Sequence, residues 1–591
     1  MSRLARDRAG NTLAMMAIAL IPLSAMAGSG LDMARLYVVK VRLQQACDAG
    51  VLAGRKFMAD GTTGQNLDPY AATQAQLFFA NNFPTGWMTT RETLFTPKRG
   101  SDGRVSGGAT TKVSMTVMKM FQAPDVKLDV TCEARYDVPD VDVMFVLDTT
   151  GSMACAASET SGCSQPIASY TKADGSTGYY VTEKSTSKIK ALRNAAMVFW
   201  DTLDQSSDPS TNIRYGIVPY SSAVNVGYQL PAGSMVSDWQ YQSRRVVGDA
   251  NKNSAVNDRP SVNKAQCDAL EGRSPANGYD SNGEAVVTTT SWDSGNNRCD
   301  RRRQTVIPLW RYAQWPMDVS QYILGNPVTD PSKVTGVTSR WQGCVEERDT
   351  VAATSFSASA LPPDLDPDLP PTSDATRWRP MYGEQVYYRG SPASYDSTGN
   401  APNLGGDASY LQSGYGTCPK SVRRLAKAKR SDISNFLNAA DFRPLGGTYH
   451  DVGMIWGLRL ISPTGIFAAD TAAWPNRPAP RRHIVFMTDG EMAPNADIYG
   501  QYAHERVDRR VSGGNLGDLE NRHTARFSAV CDAARNRNVT VWVVAFGSSL
   551  TNELRDCATT PSQAFFAGTD DELEEQFKSI AKQVAMLRVS Q

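Results

Sequence analysis

Val141-Asp142-Val143-Met144-Phe145-Val146-Leu147-Asp148-Thr149-Thr150-Gly151-Ser152 decides how this chain is read. The run is apolar from Val141 to Leu147 at every position but Asp142, the pattern of a strand buried on both faces of a parallel sheet. It ends on an acid, after which oxygen groups stand at alternate positions: a carboxylate, a hydroxyl and a hydroxyl. In open α/β sheets ligands sit on the loops at the carboxyl ends of the strands. A loop leaving this strand can turn Asp148, Thr150 and Ser152 to one point. Hard divalent cations take several oxygen ligands, some of them water. One carboxylate and two neutral oxygens leave such a cation under-neutralised, so that it attracts an acidic group from a partner.

Working outward, Ser187 to Leu203 has helical spacing through Ile189, Leu192, Ala196, Phe199 and Trp200, and Asn212 to Tyr220 reads as a second strand. The α/β rhythm then stops. Residues 225–425 are rich in Ser, Asp, Asn, Gly and Pro and hold four cysteines. The rhythm resumes with helices over 432–440, capped by Ser431, and 451–461. A strand from His483 to Thr488 ends in Asp489-Gly490, a helix covers 524–535, and a strand runs from Val539 to Phe546. A short strand at Phe565-Phe566 and a helix over 571–587 complete the series. This alternation predicts an α/β fold with a doubly wound, mostly parallel sheet. The expected parts are 139–224 and 431–591, roughly 240 residues and enough for one large domain. Between them, 225–430 is expected to be an insertion stapled by disulfides rather than by a large core.

The Asp148–Ser152 run resembles the metal-ion-dependent adhesion site of von Willebrand factor A (VWA) domains, written D-x-S-x-S, with Thr150 in place of the middle Ser. That family adds a Thr from a loop before a helix and an Asp after a later strand. Gly446-Gly447-Thr448 and Asp489 stand in those places. The resemblance implies a metal site of Asp148, Thr150, Ser152, Thr448 and Asp489, the last often acting through water. Oxygen ligands with waters lean to Mg2+, with Mn2+ or Ca2+ as alternatives. The implied partner is a protein offering an acidic side chain. Taken alone, D-x-T-G-S is also a polar turn. The aspartic-protease motif Asp-Thr-Gly fails here because Thr150 intervenes and the setting is not all-β.

At the other end of the chain, Asn11 to Gly30 carries no charge. Twenty such residues in a helix cover about 30 Å, the thickness of a bilayer core. The expectation is a cytoplasmic lead over 1–10 and a transmembrane helix over 11–31, with Pro22 tolerated inside it. Arg3, Arg6 and Arg8 favour a cytoplasmic N-terminus, although Arg35, Lys40 and Arg42 weaken the bias. A cleaved signal peptide ending at Ser24-Ala25-Met26-Ala27 is the alternative. Prepilin-type processing after Gly10 is a third, with Met15 where a Glu is usual. The basic lead, the apolar span, Asp32 at its exit and the helix Leu43-Gln44-Gln45-Ala46-Cys47-Asp48-Ala49-Gly50-Val51-Leu52-Ala53 together resemble the TadG-like family of Tad (Flp) pilus-assembly proteins. The resemblance implies a single-pass inner-membrane protein with a periplasmic or extracellular body and pilus components as partners. The remainder of 32–138 should hold loops and short elements over 60–110 and a β-hairpin or small sheet over 111–136. Pro139 marks the next boundary.

At 591 residues the chain exceeds one core. Its net charge of +1 gives no case for a nucleic-acid partner. Ten cysteines, none in C-x-x-C spacing, argue against structural zinc and for disulfides in an oxidising compartment. Buried thiols in a cytosolic protein are the rival. The simplest pairing is Cys47 with Cys132, Cys155 with Cys163, Cys267 with Cys299, Cys344 with Cys418 and Cys531 with Cys557, though sequence leaves others open. The four histidines are scattered, and H-E-x-x-H, G-x-S-x-G and G-K-[ST] are absent. The expected role is therefore binding, not catalysis. A surface adhesin using the VWA site or the insertion is one alternative, and a hydrolase is another. Asp364 to Asp368 lacks the Gly and Glu of an EF-hand loop and reads as a solvated linker. Arg301-Arg302-Arg303 and Arg423 to Arg430 read as exposed faces.

Overall fold

The computed structural model describes residues 8–58, 67–100, 104–134, 140–159, 163–172, 174–207, 211–333, 336–386, 396–398, 408–475 and 477–586. The chain is mixed α/β and divides into two compact units, Met1–Val138 and Pro139–Gln591.

In the first unit, α1 spans Arg8–Phe57, α2 spans Pro69–Asn82, and β1 (Thr90–Arg99), β2 (Val105–Val113) and β3 (Val126–Ala134) form an antiparallel sheet in that order. The N-terminal part of α1 exposes Met16, Ile18, Leu20 and Met26, and it is long and apolar enough to cross a membrane. From residue 28 onward one face of α1 is committed to its own unit. A Cβ on Gly28 would stand 2.3 Å from Val117 Cγ1. The Asp32 carboxylate accepts the backbone N–H groups of Thr116, Val117 and Met118 at 2.9, 3.1 and 2.9 Å. Those amides hold Asp32 below the usual carboxylate range. These contacts begin at Gly28, inside the span expected over 11–31. Of the loops and short elements expected over 60–110, residues 60–66 and 101–103 lie outside the described residues, and most of the rest is α2, β1 and β2. Asp68 caps α2 by accepting Ala71 N–H at 3.0 Å, and Pro69 opens the helix with its fixed φ. Ala71, Ala75 and Phe79 then turn inward, and Phe79 stacks on Phe95 at 4.6 Å. The hairpin expected over 111–136 forms between β2 and β3, with its first strand starting at Val105.

The second unit contains β4 (Val141–Asp148), α3 (Lys188–Ser206), β5 (Ile213–Tyr220), β6 (Asp238–Asn251), β7 (Arg298–Asp318), β8 (Arg423–Ala426), α4 (Arg430–Leu437), α5 (His450–Ile461), β9 (Arg481–Thr488), α6 (Leu519–Arg535), β10 (Val539–Phe546), β11 (Ala564–Ala567) and α7 (Asp570–Met586). One sheet runs β8-β5-β4-β9-β10-β11. Its strands are parallel except β8, which pairs antiparallel with β5. Successive side chains of a strand point to opposite faces. Accordingly Val143, Phe145 and Leu147 pack with α3 and α7, while Met144 and Val146 pack with α5 and α6. Phe145 meets Phe199 edge-on at 5.0 Å on the first side. This double coverage is why β4 reads as an apolar run rather than an alternating one.

Several expectations for this unit need correction. The sheet takes β8 from the stretch assigned to the insertion, so the α/β part resumes before residue 431. Helix α4 covers Arg430–Leu437, not 432–440, and Ser431 lies inside it. Asp432 instead accepts the Lys429 backbone N–H at 2.9 Å and fixes the helix start. The insertion is more than a disulfide-stapled loop. Strands β6 and β7 form a long antiparallel ribbon, and Trp341, Trp378, Tyr322 and Tyr382 join the apolar cluster of α5 and β9. Trp378 lies 5.2 Å from Trp456 of α5. The Asp364–Asp368 stretch is not a solvated linker either. Asp364 is buried against Arg526, and Asp368 pairs with Arg537 at 2.7 Å. Guanidinium partners offset the cost of burying those carboxylates, so a polar sequence can be internal. The basic runs are ion-paired: Arg301 with Asp258, Arg424 with Asp470 and Arg430 with Asp201. The ten cysteines form the five pairs of the simplest reading.

Candidate metal centre

Strands β4 and β9 are parallel neighbours, with Leu147 opposite Met487. Their C-terminal ends therefore deliver Asp148 and Asp489 to one edge of the sheet. Both are buried. The loop after β4 bends back at once, because Asp148 Oδ1 accepts the Thr150 backbone N–H at 2.8 Å. That turn brings Thr150 Oγ1 within 3.0 Å of Ser152 Oγ, and Ser152 Oγ donates to Asp489 Oδ1 at 2.9 Å. Four of the five expected residues are thus joined through side-chain and backbone hydrogen bonds.

The fifth, Thr448, comes from the loop before α5. Two backbone bonds knit this loop to the first: Gly151 N–H to Gly446 O at 3.0 Å and Leu445 N–H to Thr149 O at 2.9 Å. Gly446 has φ +94°, and a Cβ there would stand 2.8 Å from Thr417 Oγ1, so the close approach requires glycine. The Thr448 hydroxyl lies 3.8 Å from where a Cβ on Gly490 would stand. Its carbonyl accepts Ala493 N–H at 3.0 Å. Thr448 is therefore beside the β9 end, but no side-chain hydrogen bond joins it to the other four.

Three residues missing from the sequence reading complete the site. Thr488 donates its hydroxyl to Asp148 Oδ2 at 2.8 Å, and His450 Nε2 lies 3.0 Å from the same hydroxyl. Burial pushes His450 down to about 3, so it is neutral here. Most consequential is Lys188, the first residue of α3. Its Nζ stands 2.8 Å from Asp489 Oδ2, and both side chains are almost fully buried. Lys188 has no pattern partner in its own stretch of sequence, and the pairing is visible only once α3 is docked on the sheet.

Asp148 has no cationic partner among the described residues. Burial, and then the charge of Asp489, push its carboxyl up to about 7. The donor set is entirely oxygen, carboxylate and hydroxyl, which is the chemistry of Mg2+, Mn2+ and Ca2+ sites. Residues Cys155, Glu159 and Cys163 also converge, but the two sulfurs are joined in a disulfide and offer no thiolate.

Residues 10–66 match the Flp pilus-assembly TadE/G-like family. The TadE/G-like segment is therefore most of α1 and the stretch after it, in the first unit. No curated protein matches the chain. Among solved structures, the pilus adhesin SpaC from Lactobacillus rhamnosus GG aligns at 9% identity and a TM-score of 0.26, over 83% of this chain and 34% of that one. The chain thus spans about a third of the SpaC length. The PilB minor pilin from Streptococcus sanguinis aligns at 10% identity and a TM-score of 0.28, over 84% and 78%. Proximal thread matrix protein 1 from the mussel byssus, with a zinc-occupied MIDAS motif, aligns at 14% identity and a TM-score of 0.17, over 27% and 32%. TM-scores this low carry no argument about this chain.

Proposed function

We propose that the second unit is a VWA-type domain that binds one divalent cation, Mg2+ foremost, through Asp148, Thr150, Ser152, Thr448 and Asp489. The bound ion would then grip an acidic side chain of a pilus or pilus-assembly component. In this reading the chain is a single-pass inner-membrane protein, with a periplasmic body, that assembles or anchors a Tad pilus. One observation carries the metal reading: two buried carboxylates from adjacent strand ends are linked through Thr150 and Ser152, and the ammonium of Lys188 stands on Asp489 alone. With both acids ionised and Lys188 protonated, the charge at the site is −1. A divalent ion changes it to +1, which favours a partner carboxylate in the open coordination position. The TadE/G-like match at 10–66 supports the pilus setting.

A binding role is preferred to hydrolysis because the Thr488 hydroxyl beside His450 is buried and committed to Asp148. His523 Nδ1 pairs with Asp451 at 2.9 Å, as a triad would require, but its ring is enclosed edge-on by Tyr449 and Tyr502. Among the described residues there is no free cysteine.

The test is calorimetric titration of Mg2+ and Mn2+ into the full chain in nanodiscs, for wild type and Asp148→Ala. The reading predicts about one ion per wild-type chain and none for the variant. Equal binding by both, or none by either at millimolar metal, would falsify the metal assignment.

A further inference from the structure

Away from the strand ends, a cavity of about 450 Å³ opens beside the β6–β7 ribbon. That size is within the range of small-molecule sites, roughly 300–1,000 Å³. Its wall is rich in acceptors. Glu346 is 3% exposed; its Oε1 accepts from the Tyr499 hydroxyl at 2.6 Å, and its Oε2 meets only a long 3.5 Å approach from Arg510. Asp508 accepts Gln242 Nε2 at 3.1 Å and the His504 backbone N–H at 3.0 Å.

Gln385 is the anomaly. It is 1% exposed, its Nε2 faces only the sulfur of Met317 at 3.2 Å, and its Oε1 has no hydrogen-bond partner. A thioether is a weak acceptor. A buried polar group left unpaired forfeits its hydrogen bonds to water with nothing in return, so such groups ask for an explanation. The amide borders the cavity, and a ligand there would supply what it lacks.

The rest of the wall selects the ligand class. Arg379 and Arg510 line the cavity with most of their donors engaged by the protein; Arg379 Nε, like the Tyr382 hydroxyl, is left without a hydrogen-bond partner among the described residues, and a ligand hydroxyl can accept from it. Arg379 donates to Asp349 at 2.6 Å and to the Glu347 carbonyl, and Arg510 donates to the carbonyls of Glu347 and Arg348. An anion would meet Glu346 and Asp508, and a cation would meet the two guanidinium groups. An apolar ligand would leave Gln385 unpaired. Trp239 is partly buried, with the Arg379 guanidinium 4.0 Å from its ring, and it brings apolar surface to the wall. A neutral molecule with many hydroxyl donors and an apolar ring face satisfies all of these groups.

We propose that this cavity binds a small saccharide, whose hydroxyls donate to Glu346, Asp508 and Gln385 while its ring lies against Trp239. The site is separate from the strand-end carboxylates and would give the insertion a ligand of its own. The full chain, in nanodiscs free of glycosidic detergent, is examined by saturation-transfer NMR with glucose, galactose, N-acetylglucosamine and their disaccharides. At least one sugar should receive saturation. Its binding should weaken about tenfold or more, the scale of one lost polar contact, in Gln385→Leu and Glu346→Gln and stay unchanged in Asp148→Ala. Melting curves establish that each variant is folded. If either is not, Trp239→Ala takes its place, with the same loss expected. The proposal is overturned if no sugar binds, if folded variants bind as wild type does, or if Ca2+ or methylammonium occupies the site and sugars do not.

Discussion

Two sets of buried charges in the second unit are built on opposite principles. Where the insertion meets α5 and α6, carboxylates meet guanidinium groups. Arg459 grips Glu347 at 2.7 and 3.1 Å, Arg348 lies 3.6 Å from Glu347, and Arg526 pairs with Asp364 and lies 3.6 Å from Asp451, three guanidinium groups against three carboxylates. Burial alone would push the Glu347 carboxyl up, but the charges of Arg459 and Arg348 outweigh it and hold it below its ordinary value. At the strand ends, by contrast, Lys188 pairs with Asp489 and Asp148 has no cationic partner among the described residues, and the Asp148 carboxyl is pushed up to about 7. A buried ion network that balances its charge needs nothing further and fastens the insertion to the sheet. A network short of positive charge has room for a cation, as the proposed metal reading requires. The difference separates scaffold from site more sharply than burial does, since both sets are buried.

The largest effect should come from unbalancing the first set. Glu347→Ala strands Arg459 in the interior and is expected to cost about 3–5 kcal/mol, the usual consequence of removing one partner of a buried pair. Urea unfolding with the metal removed by EDTA would measure it. A loss below 1 kcal/mol would mean that the network contributes specificity rather than stability. Next, Cys344 and Cys418, 74 positions apart, close a loop that contains Glu346 and Glu347. Replacing both with Ser should cost about 2–4 kcal/mol, and the melting temperature of the double variant would report it.

The second set sharpens the comparison through pH. In EDTA, the folded Asp148 carboxyl holds its proton up to about 7, whereas the unfolded group releases it near the model value of 3.8. Between those values the folded state binds more protons, so this contribution to stability is full below about pH 4 and is lost as pH rises towards 7. The buried histidines His450 and His483, both pushed down to about 3, act in the opposite direction. The difference between wild type and Asp148→Asn cancels them. That difference should grow in favour of the variant by up to a few kcal/mol from pH 4 to 7, and added Mg2+ should reverse it. A flat difference across that range would contradict the charge deficit. The smallest effect is expected from Lys188→Met. Removing the competing ammonium should tighten Mn2+ binding several-fold, on the order of 1 kcal/mol. Weaker binding would mean that Lys188 acts mainly to orient Asp489.

How much of this was legible in the sequence follows from what each feature depends on. Strand β4, the hydroxyl spacing of Thr150 and Ser152, and the Asp489 strand end are local patterns set by a parallel sheet covered on both faces, and the strand boundaries were within a residue or two. Helix α2 was legible as well, through Asp68-Pro69 and the spacing of Ala71, Ala75 and Phe79, but a Gly- and Thr-rich setting obscured it. The buried state of Asp364 depends on Arg526, far away in the chain, and Lys188 reaches Asp489 across 301 positions of sequence. Such pairs carry no periodicity, so a polar insertion that shares the core of α5 and β9 reads in sequence as a loop stapled by disulfides.

The central claim is that the strand-end carboxylates hold a cation, and Mn2+ gives the most direct view of it. Crystals of the full chain soaked in Mn2+ would be measured for anomalous scattering. The account predicts one strong peak at the β4 and β9 ends, with Ser152 Oγ and a carboxylate oxygen of Asp148 or a bridging water about 2 Å from it. A map with no peak there at millimolar Mn2+, with Lys188 still on Asp489, would show that the ammonium is the only cation this site takes.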